Sequence, residues 1–570
     1  MDRYYRHQLE LLREGAKDFA LAHPALAPML LGQGNDPDVE RILEGTAYLC
    51  GKIQERLDAT APEFITALLQ LVYPQALLPL PSLTLMQFTP VPGFIESIFI
   101  PAGTQVASRP VDGVQCLYST MRSMRALPIR IASVLTDRQG EETRVRLTLE
   151  STTGILPLLS SEGLVLHLAG DYALAANRFQ ALASQCTGIT AELGTARISL
   201  PPHVLLTASA ENSDPRIADA LPHNSACMQV LRYFYLPQQQ LFLRLEGLDR
   251  LFRDGDATRL VITFSLRGSG IPDFTQDAFA LNTVPAMNIF ECPADPVQLD
   301  HTREEYPVRA QDAREHFIEI LAINRVTALV GGSIEPYSPY ESFRAGGAER
   351  AYSTRIRMTE SGIAPDFLIM PLYKKQDAPE DMARATLSVR LTCCNHTLPS
   401  RLGAGDICMP TDTSPAQTEM RNLTTPTPHV PRVREEARLW RFLSYMNSNL
   451  LSMASAGALR SLLELHIMAA PGAPEMAAAN LRRCNAIVDF RSSPEDMLWR
   501  GRPLRGFHAE LTLNPAGFVS RGDMHLFAHT LNSFLASFAP VNTYCRLTLT
   551  VSGTGEKRQW PPRLSDKPLI

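Results

Sequence analysis

Two histidines four residues apart, His525 and His529, have the spacing in this 570-residue chain that comes nearest to a metal-ligand pair. On a helix, residues i and i+4 project from one face, so both imidazoles could reach one ion. The residues between them are Leu526, Phe527 and Ala528, with no glutamate to act as a base, and the pair lies opposite the apolar stripe Met524, Phe527, Leu531, Phe534, Leu535 and Phe538. A solvated or interface face is therefore the expected role. Cys393-Cys394-Asn395-His396 offers sulfur and imidazole, but neighbours in a strand point to opposite faces and share an ion poorly. Asp300-His301 is half of a proton relay with no serine or cysteine motif to complete it, so a structural turn is expected. Gly331-Gly332 and Gly268-Ser269-Gly270 lack the lysine and the full glycine spacing of a phosphate cradle. The reading is a protein without catalytic residues, metal or cofactor. A metal-dependent hydrolase using His525 and His529 is the enzyme alternative.

Composition narrows the partners. With 54 basic and 59 acidic side chains the net charge is -5, so no bulk positive field exists to hold nucleic acid or an anionic membrane. No stretch approaches the roughly 20 apolar residues of a membrane span, and the amphipathic, charged segment from Met1 to Glu14 does not read as a secretion signal. Ten cysteines are scattered without a CxxC pair, which is the usage of a reducing compartment and points to the cytoplasm. The 43 prolines outnumber the 33 glycines, which suits stiff connections between blocks that span distance.

The elements that must position these residues emerge from periodicity. Tyr5, Leu9, Leu12, Ala16 and Phe19 mark a helix ending at His23-Pro24. Asp36-Pro37 starts a second, whose inner stripe is expected to be Val39, Ile42, Thr46, Leu49 and Ile53. Thr60 with Glu63 reads as the capping box of a third, which carries Phe64, Leu68, Leu71 and Val72 to Tyr73-Pro74. After the Leu77 to Pro81 elbow, strands are expected at 82–88, 95–100, 129–135, 143–149, 163–168 and 385–392, with a helix at 174–184 and a mobile loop at 406–418. The last part carries the strand 507–513, a turn at Asn514-Pro515-Ala516-Gly517, the striped helix and a strand at 544–551. The expected fold is multi-domain α+β: a helical N-terminal head (1–75), β-rich blocks with inserted helices and mainly antiparallel strands (76–270 and 271–421), a proline-rich strut with helices (422–470) and a small C-terminal α+β unit (471–570).

The stretch from Asn422 to Met468 is the candidate interaction element. Pro426, Pro428 and Pro431 make an extended strut that would carry the next helical segment away from the preceding body. Leu439, Phe442, Met446, Asn449 and Met453 then recur at helical steps with Trp440 beside them, and a second run continues through Leu459, Leu462, Leu463 and His466. Asn447, Ser448 and Asn449 are a place where this pattern could divide into two helices. The interface candidates are Leu439, Trp440, Phe442, Met446, Met453, Leu459 and Leu463; a buried helix pair inside a large fold is the competing reading.

Ordered pieces along the whole chain resemble one family. They include Tyr4-Tyr5, Asp36-Pro37-Asp38-Val39-Glu40-Arg41, Leu71-Val72-Tyr73-Pro74, Pro79-Leu80-Pro81-Ser82 and Ile100-Pro101-Ala102-Gly103-Thr104. Further on come Asn288-Ile289-Phe290, Leu299-Asp300-His301, Asn422-Leu423-Thr424, Trp440-Arg441 and Phe534 with Asn542. This set resembles the type VI secretion baseplate subunit TssF, also called VasA or ImpG. The resemblance implies a non-enzymatic scaffold similar to the wedge proteins of contractile phage baseplates, a phage-like tail protein being the near alternative. It also implies partners: TssG, a second copy of TssF, TssK, TssE and the VgrG hub, with the sheath as a further candidate, assembled at the inner face of the bacterial inner membrane. The 422–468 element would then enter a helical bundle with TssG and the second copy.

Overall fold

The N-terminal periodicity and the strand runs beyond Leu80 emerge as helices and sheets in a computed structural model of the chain. It describes residues 2–23, 37–72, 77–152, 163–207, 226–251, 258–300, 302–311, 317–330, 333–339, 350–357, 366–372, 385–433, 435–446, 455–468, 470, 472–499, 501–540 and 542–564. Its helices include α1 (Asp2–Ala22), α2 (Pro37–Val72), α3 (Tyr172–Gln185), α4 (Ala226–Tyr235), α5 (Glu436–Met446), α6 (Ala456–Glu464), α7 (Pro474–Asn485) and α8 (Arg521–Ala536). The fold is α+β, with several sheets and most strand pairs antiparallel. Packing groups it into two units, Met1–Leu77 with Arg434–Leu443, and Leu78–Val433 with Ser444–Ile570.

The first unit is helical. α2 runs unbroken from Pro37 to Val72, so Thr60 and Glu63 do not start a third helix. A capping pattern marks a start only where upstream residues leave amides unpaired, and here the preceding turn is already helical.

The second unit is built on sheets. One runs Ile407–Pro410, Gln105–Ser108, Leu117–Thr120, Thr283–Met287, Leu83–Pro90 and Thr418–Asn422 in spatial order, drawing strands from both sides of residue 270. Alternation puts Met86, Phe88, Tyr118, Val284 and Ile407 into one apolar core. The expected mobile loop at 406–418 is instead tied down. Its first part is a strand, and Gln105, one residue beyond the pairing with that strand, donates its amide to Thr413 Oγ1 at 2.8 Å while its carbonyl accepts from Thr411 Oγ1 at 2.8 Å. Threonine hydroxyls thus satisfy the backbone groups at the end of the ladder. A second core, around Val326, Leu387, Val389 and Leu391, lies where the strand Glu319–Val330 pairs with Ala385–Cys394.

The proline strut is not a free spacer. Leu80 and Val430 exchange amide–carbonyl bonds of 2.9 and 3.0 Å, and Thr427 pairs with Leu83 through its amide and its hydroxyl, each at 2.9 Å. Extended chain keeps its non-proline amides unpaired, and they find the strand entering the sheet. The strut itself therefore lies on the body, although the helical residues after it, Arg434–Leu443, belong to the other unit as the expectation has it: the proline segments beside both crossings between units are paired with each other.

α8 is buried nearly all round, against α3, α4 and the strand Tyr544–Val551. Two elements of the C-terminal part, α7 and the strand Ile487–Trp499, form where no element is read from the sequence. None of the described helices is long and apolar enough to cross a membrane.

Candidate functional site

An exposed apolar stripe lies on the helical unit. α1 packs on the small-residue face of α2: Ala47 is fully buried, and a Cβ on Gly51 would sit 3.1 Å from the Tyr5 amide nitrogen. Arg13 pairs with Glu40 across the two helices. The larger residues are left outside. Ile42 (68% exposed), Leu49 (63%), Ile53 (61%) and Phe64 (59%) succeed one another by seven, four and eleven residues, which is one side of a helix. This reverses the expected inner stripe: Ile42, Thr46, Leu49 and Ile53 face outward, while the Val39 side chain lies outside the described residues. Both faces of α2 carry apolar side chains, and periodicity cannot say which one α1 takes. Close backbone approach favours the Ala47–Gly51 face. Leu11, Phe19 and Leu21 on α1 are also exposed.

The 422–468 candidates are divided between the two units. On α5, in the helical unit, Leu439 and Phe442 are buried, whereas Trp440 is 43% exposed. Met446 ends α5 with a side chain outside the described residues, and Met453 lies outside them altogether, as do Asn447, Ser448 and Asn449. Leu459 and Leu463 are buried on α6, in the other unit. α6 is capped by Ser455, whose side chain accepts from the Ala458 amide at 3.2 Å.

His525 is buried and His529 half-buried, so the face they share is packed and not solvated. His525 stacks on Trp560 with ring centroids 5.3 Å apart, and Trp560 Nε1 donates to His529 Nδ1 at 3.3 Å. The chain's last strands, Lys557–Gln559 and Arg563–Leu564, pair with Tyr544–Val551 and bring Trp560 over this face; periodicity within α8 gives no sign of them. Burial, with Arg563 and Arg558 nearby, pushes His529 down to about 4, and burial holds His525 well below its ordinary range. Both are neutral packing residues. Cys393 and Cys394 are buried thiols, and burial raises Cys394 far above the ordinary range. Asp300 accepts from the Thr302 amide and hydroxyl and from Tyr306 Oη, the expected structural turn; His301 and Gly331-Gly332 lie outside the described residues.

Sequence reading passes over a polar hub at the start of α8. Asp523 is fully buried and takes Tyr172 Oη and Tyr233 Oη at 2.6 Å each, Arg483 Nε at 3.1 Å and Arg483 Nη2 at 3.2 Å. Arg483 also reaches Asn480, and Tyr235 Oη bridges the carbonyl and amide of Met468. The hub locks α3, α4, α7 and α8 to one another. Its one local signal is Ser520 three residues before Asp523, the pattern of an N-cap.

A sheet body combined with a helical unit whose long helix turns an apolar stripe outward is the construction of an assembly protein, one that presents surfaces to other chains. The chain belongs to the TssF family of the type VI secretion system, whose family model matches residues 1–567. It is 27% identical over 618 residues to the type VI secretion system component TssF1 of Pseudomonas aeruginosa, covering 100% of this chain and 99% of that one. Two solved structures are similar. A chain of the TssK-TssF-TssG baseplate subcomplex of the type VI secretion system aligns with a TM-score of 0.76 at 26% identity, over 93% of this chain and 99% of its own. A chain of the baseplate complex from the type VI secretion system aligns at 0.63 and 25% identity, over 99% of each.

Proposed function

We propose that this chain is a structural subunit of a type VI secretion baseplate and assembles with its own TssK and TssG counterparts. The supporting observation is the outward stripe Ile42, Leu49, Ile53 and Phe64, on a helix whose other face is already taken by α1. Exposed apolar residues repeated along one helix face fit the seam of a helical bundle, where knobs from a partner helix fill the gaps between them. The occupant is a mixed bundle with the TssG counterpart and a second copy of this chain, with Trp440 of α5 on the same helical unit as a further contact. TssE, the VgrG hub and the sheath belong to the same reading as more distant neighbours, as does assembly at the cytoplasmic face of the inner membrane. The role is non-enzymatic. Against a hydrolase built on His525 and His529 stand the stacking of Trp560 on His525 and its hydrogen bond to His529 Nδ1.

Coexpression with the TssG and TssK counterparts tests the reading. The wild-type chain is expected to copurify with both, and the pair of substitutions Ile42→Asp and Leu49→Asp to abolish that while circular dichroism and size exclusion show a folded chain. Retention of both partners by the folded double variant would remove the stripe from the interface.

A further inference from the structure

Three segments remote in sequence bring a carboxylate and two imidazoles together inside the sheet unit. Glu319 opens the strand that pairs with Ala385–Cys394 and lies opposite Cys394. His396 comes just after that second strand in a turn, held at φ 46°, a left-handed conformation uncommon outside glycine that histidine tolerates better than most. His429 comes from the proline strut, between Pro428 and Val430. One ligand atom from each lies within 4.8 Å of the other two, and among the described residues this is the one set of three or more His, Cys, Asp or Glu groups so placed. Glu319 and His429 are both buried and His396 is half-buried.

The polar atoms of this cluster are incompletely used by the protein. His429 Nε2 lies 2.8 Å from Glu319 Oε2, but the pair is not aligned as a hydrogen bond, and the buried His429 Nδ1 meets no hydrogen-bond partner among the described residues. The two imidazole rings stand with centroids 4.9 Å apart, tilted by 40°. Arg432 Nε donates to the other carboxylate oxygen, Oε1, at 3.1 Å, and its Nη2 donates to the Ile320 carbonyl at 2.7 Å. One oxygen of Glu319 is thus anchored and the other is turned toward the imidazoles.

We propose that Glu319, His396 and His429 form a site for one divalent first-row transition-metal ion of the zinc type, which clasps the proline strut to the sheet. Two imidazoles and one carboxylate oxygen are a donor set that zinc and its neighbours take, with water in the remaining position on the half-buried His396 side. Arg432 is the outer partner that orients the ligating carboxylate through its second oxygen. Because Arg432 already balances the carboxylate charge, the ion is held mainly by donor geometry and exchanges with solvent. Its structural effect is a cross-link among the strand at Glu319, the turn at His396 and the strut four residues before Val433, where the chain first leaves the sheet unit.

The test uses the tag-free full-length chain, stripped with a chelator and titrated with Co2+ alone, read by visible d–d absorption and elemental analysis. One Co2+ per chain, displaced by Zn2+, is expected. His396→Asn keeps a residue that tolerates positive φ and should leave the fold intact, while His429→Gln removes the strut ligand. Each is expected to weaken Co2+ binding at least about tenfold. A wild-type chain that takes up no stoichiometric Co2+ would make the cluster a hydrogen-bonded one only and overturn the proposal, as would undiminished binding by folded His396→Asn. The wild-type titration decides the question even if a variant misfolds, and it is independent of whether the chain binds baseplate partners.

Discussion

Asp523 shows what a single buried charge does in this chain. Four side-chain hydrogen bonds converge on a carboxylate with no solvent exposure, and Arg483 supplies the compensating charge. Asp523→Asn leaves that guanidinium buried without a counter-charge, which is expected to cost ~3–5 kcal/mol in urea unfolding; a loss under ~1 kcal/mol would show that the hub is not an electrostatic lock. His167 gives a pH dependence. Burial pushes it down from 6.5 to about 4, against its bond to the Gln238 carbonyl and with Arg122 nearby. As pH falls below 6.5 the unfolded chain takes up a proton that the folded chain does not, so its contribution is complete above 6.5 and is lost progressively toward pH 4, by about 3 kcal/mol. His167→Gln is expected to flatten that part of the stability–pH curve; an unchanged slope would contradict the assignment. At this scale the sequence was a poor guide. His525 and His529 are correctly placed on one helix, but their surroundings come from Trp560, over thirty residues away, and the partners of Asp523 come from residues 172, 233 and 483.

Helices and strands themselves were largely legible, because the period of apolar residues is a local property. The strands near 83, 129, 143, 164, 385 and 544 and the helix near 174 form where alternation and stripes place them. Contacts between elements were not, since they turn on close approach. Gly522 illustrates this: a Cβ there would lie 2.1 Å from the Ala176 backbone carbonyl carbon, so α8 meets α3 backbone to backbone. Gly522→Ala is expected to destabilise by ~3 kcal/mol or more despite alanine's better helix propensity, measured as a lowered urea midpoint; a neutral or stabilising effect would mean that the contact is loose. The strut teaches the same lesson. Its prolines announced an extended segment, but only the fold shows Leu80 bonded to Val430 and Leu83 to Thr427. Thr427→Val removes the acceptor of the buried Leu83 amide and is expected to cost ~1–3 kcal/mol and to speed amide exchange at Leu83. Exchange unchanged from wild type would show that the strut is held by other contacts.

Across the whole molecule, the exposed apolar stripe of α2 is the feature on which the assembly reading rests. The sequence supplied its members, Ile42, Leu49 and Ile53, but assigned them to the interior, because a stripe facing a partner and a stripe facing a core have the same period. Family membership, unlike the sides of α2, was readable from the ordered set of short segments, and the family model covers residues 1–567. The two crossings between units, at Leu77–Leu78 and Val433–Arg434, adjoin proline segments that are hydrogen-bonded to one another through Leu80 and Val430. The central claim is that α2 carries the assembly surface. Its most direct test is native mass measurement on the chain coexpressed with its TssG and TssK counterparts, wild type against Ile42→Asp with Leu49→Asp. The account expects a wild-type complex with more than one copy of this chain per TssG counterpart, and a folded double variant that runs alone. A double variant that enters the complex with the wild-type mass would contradict it.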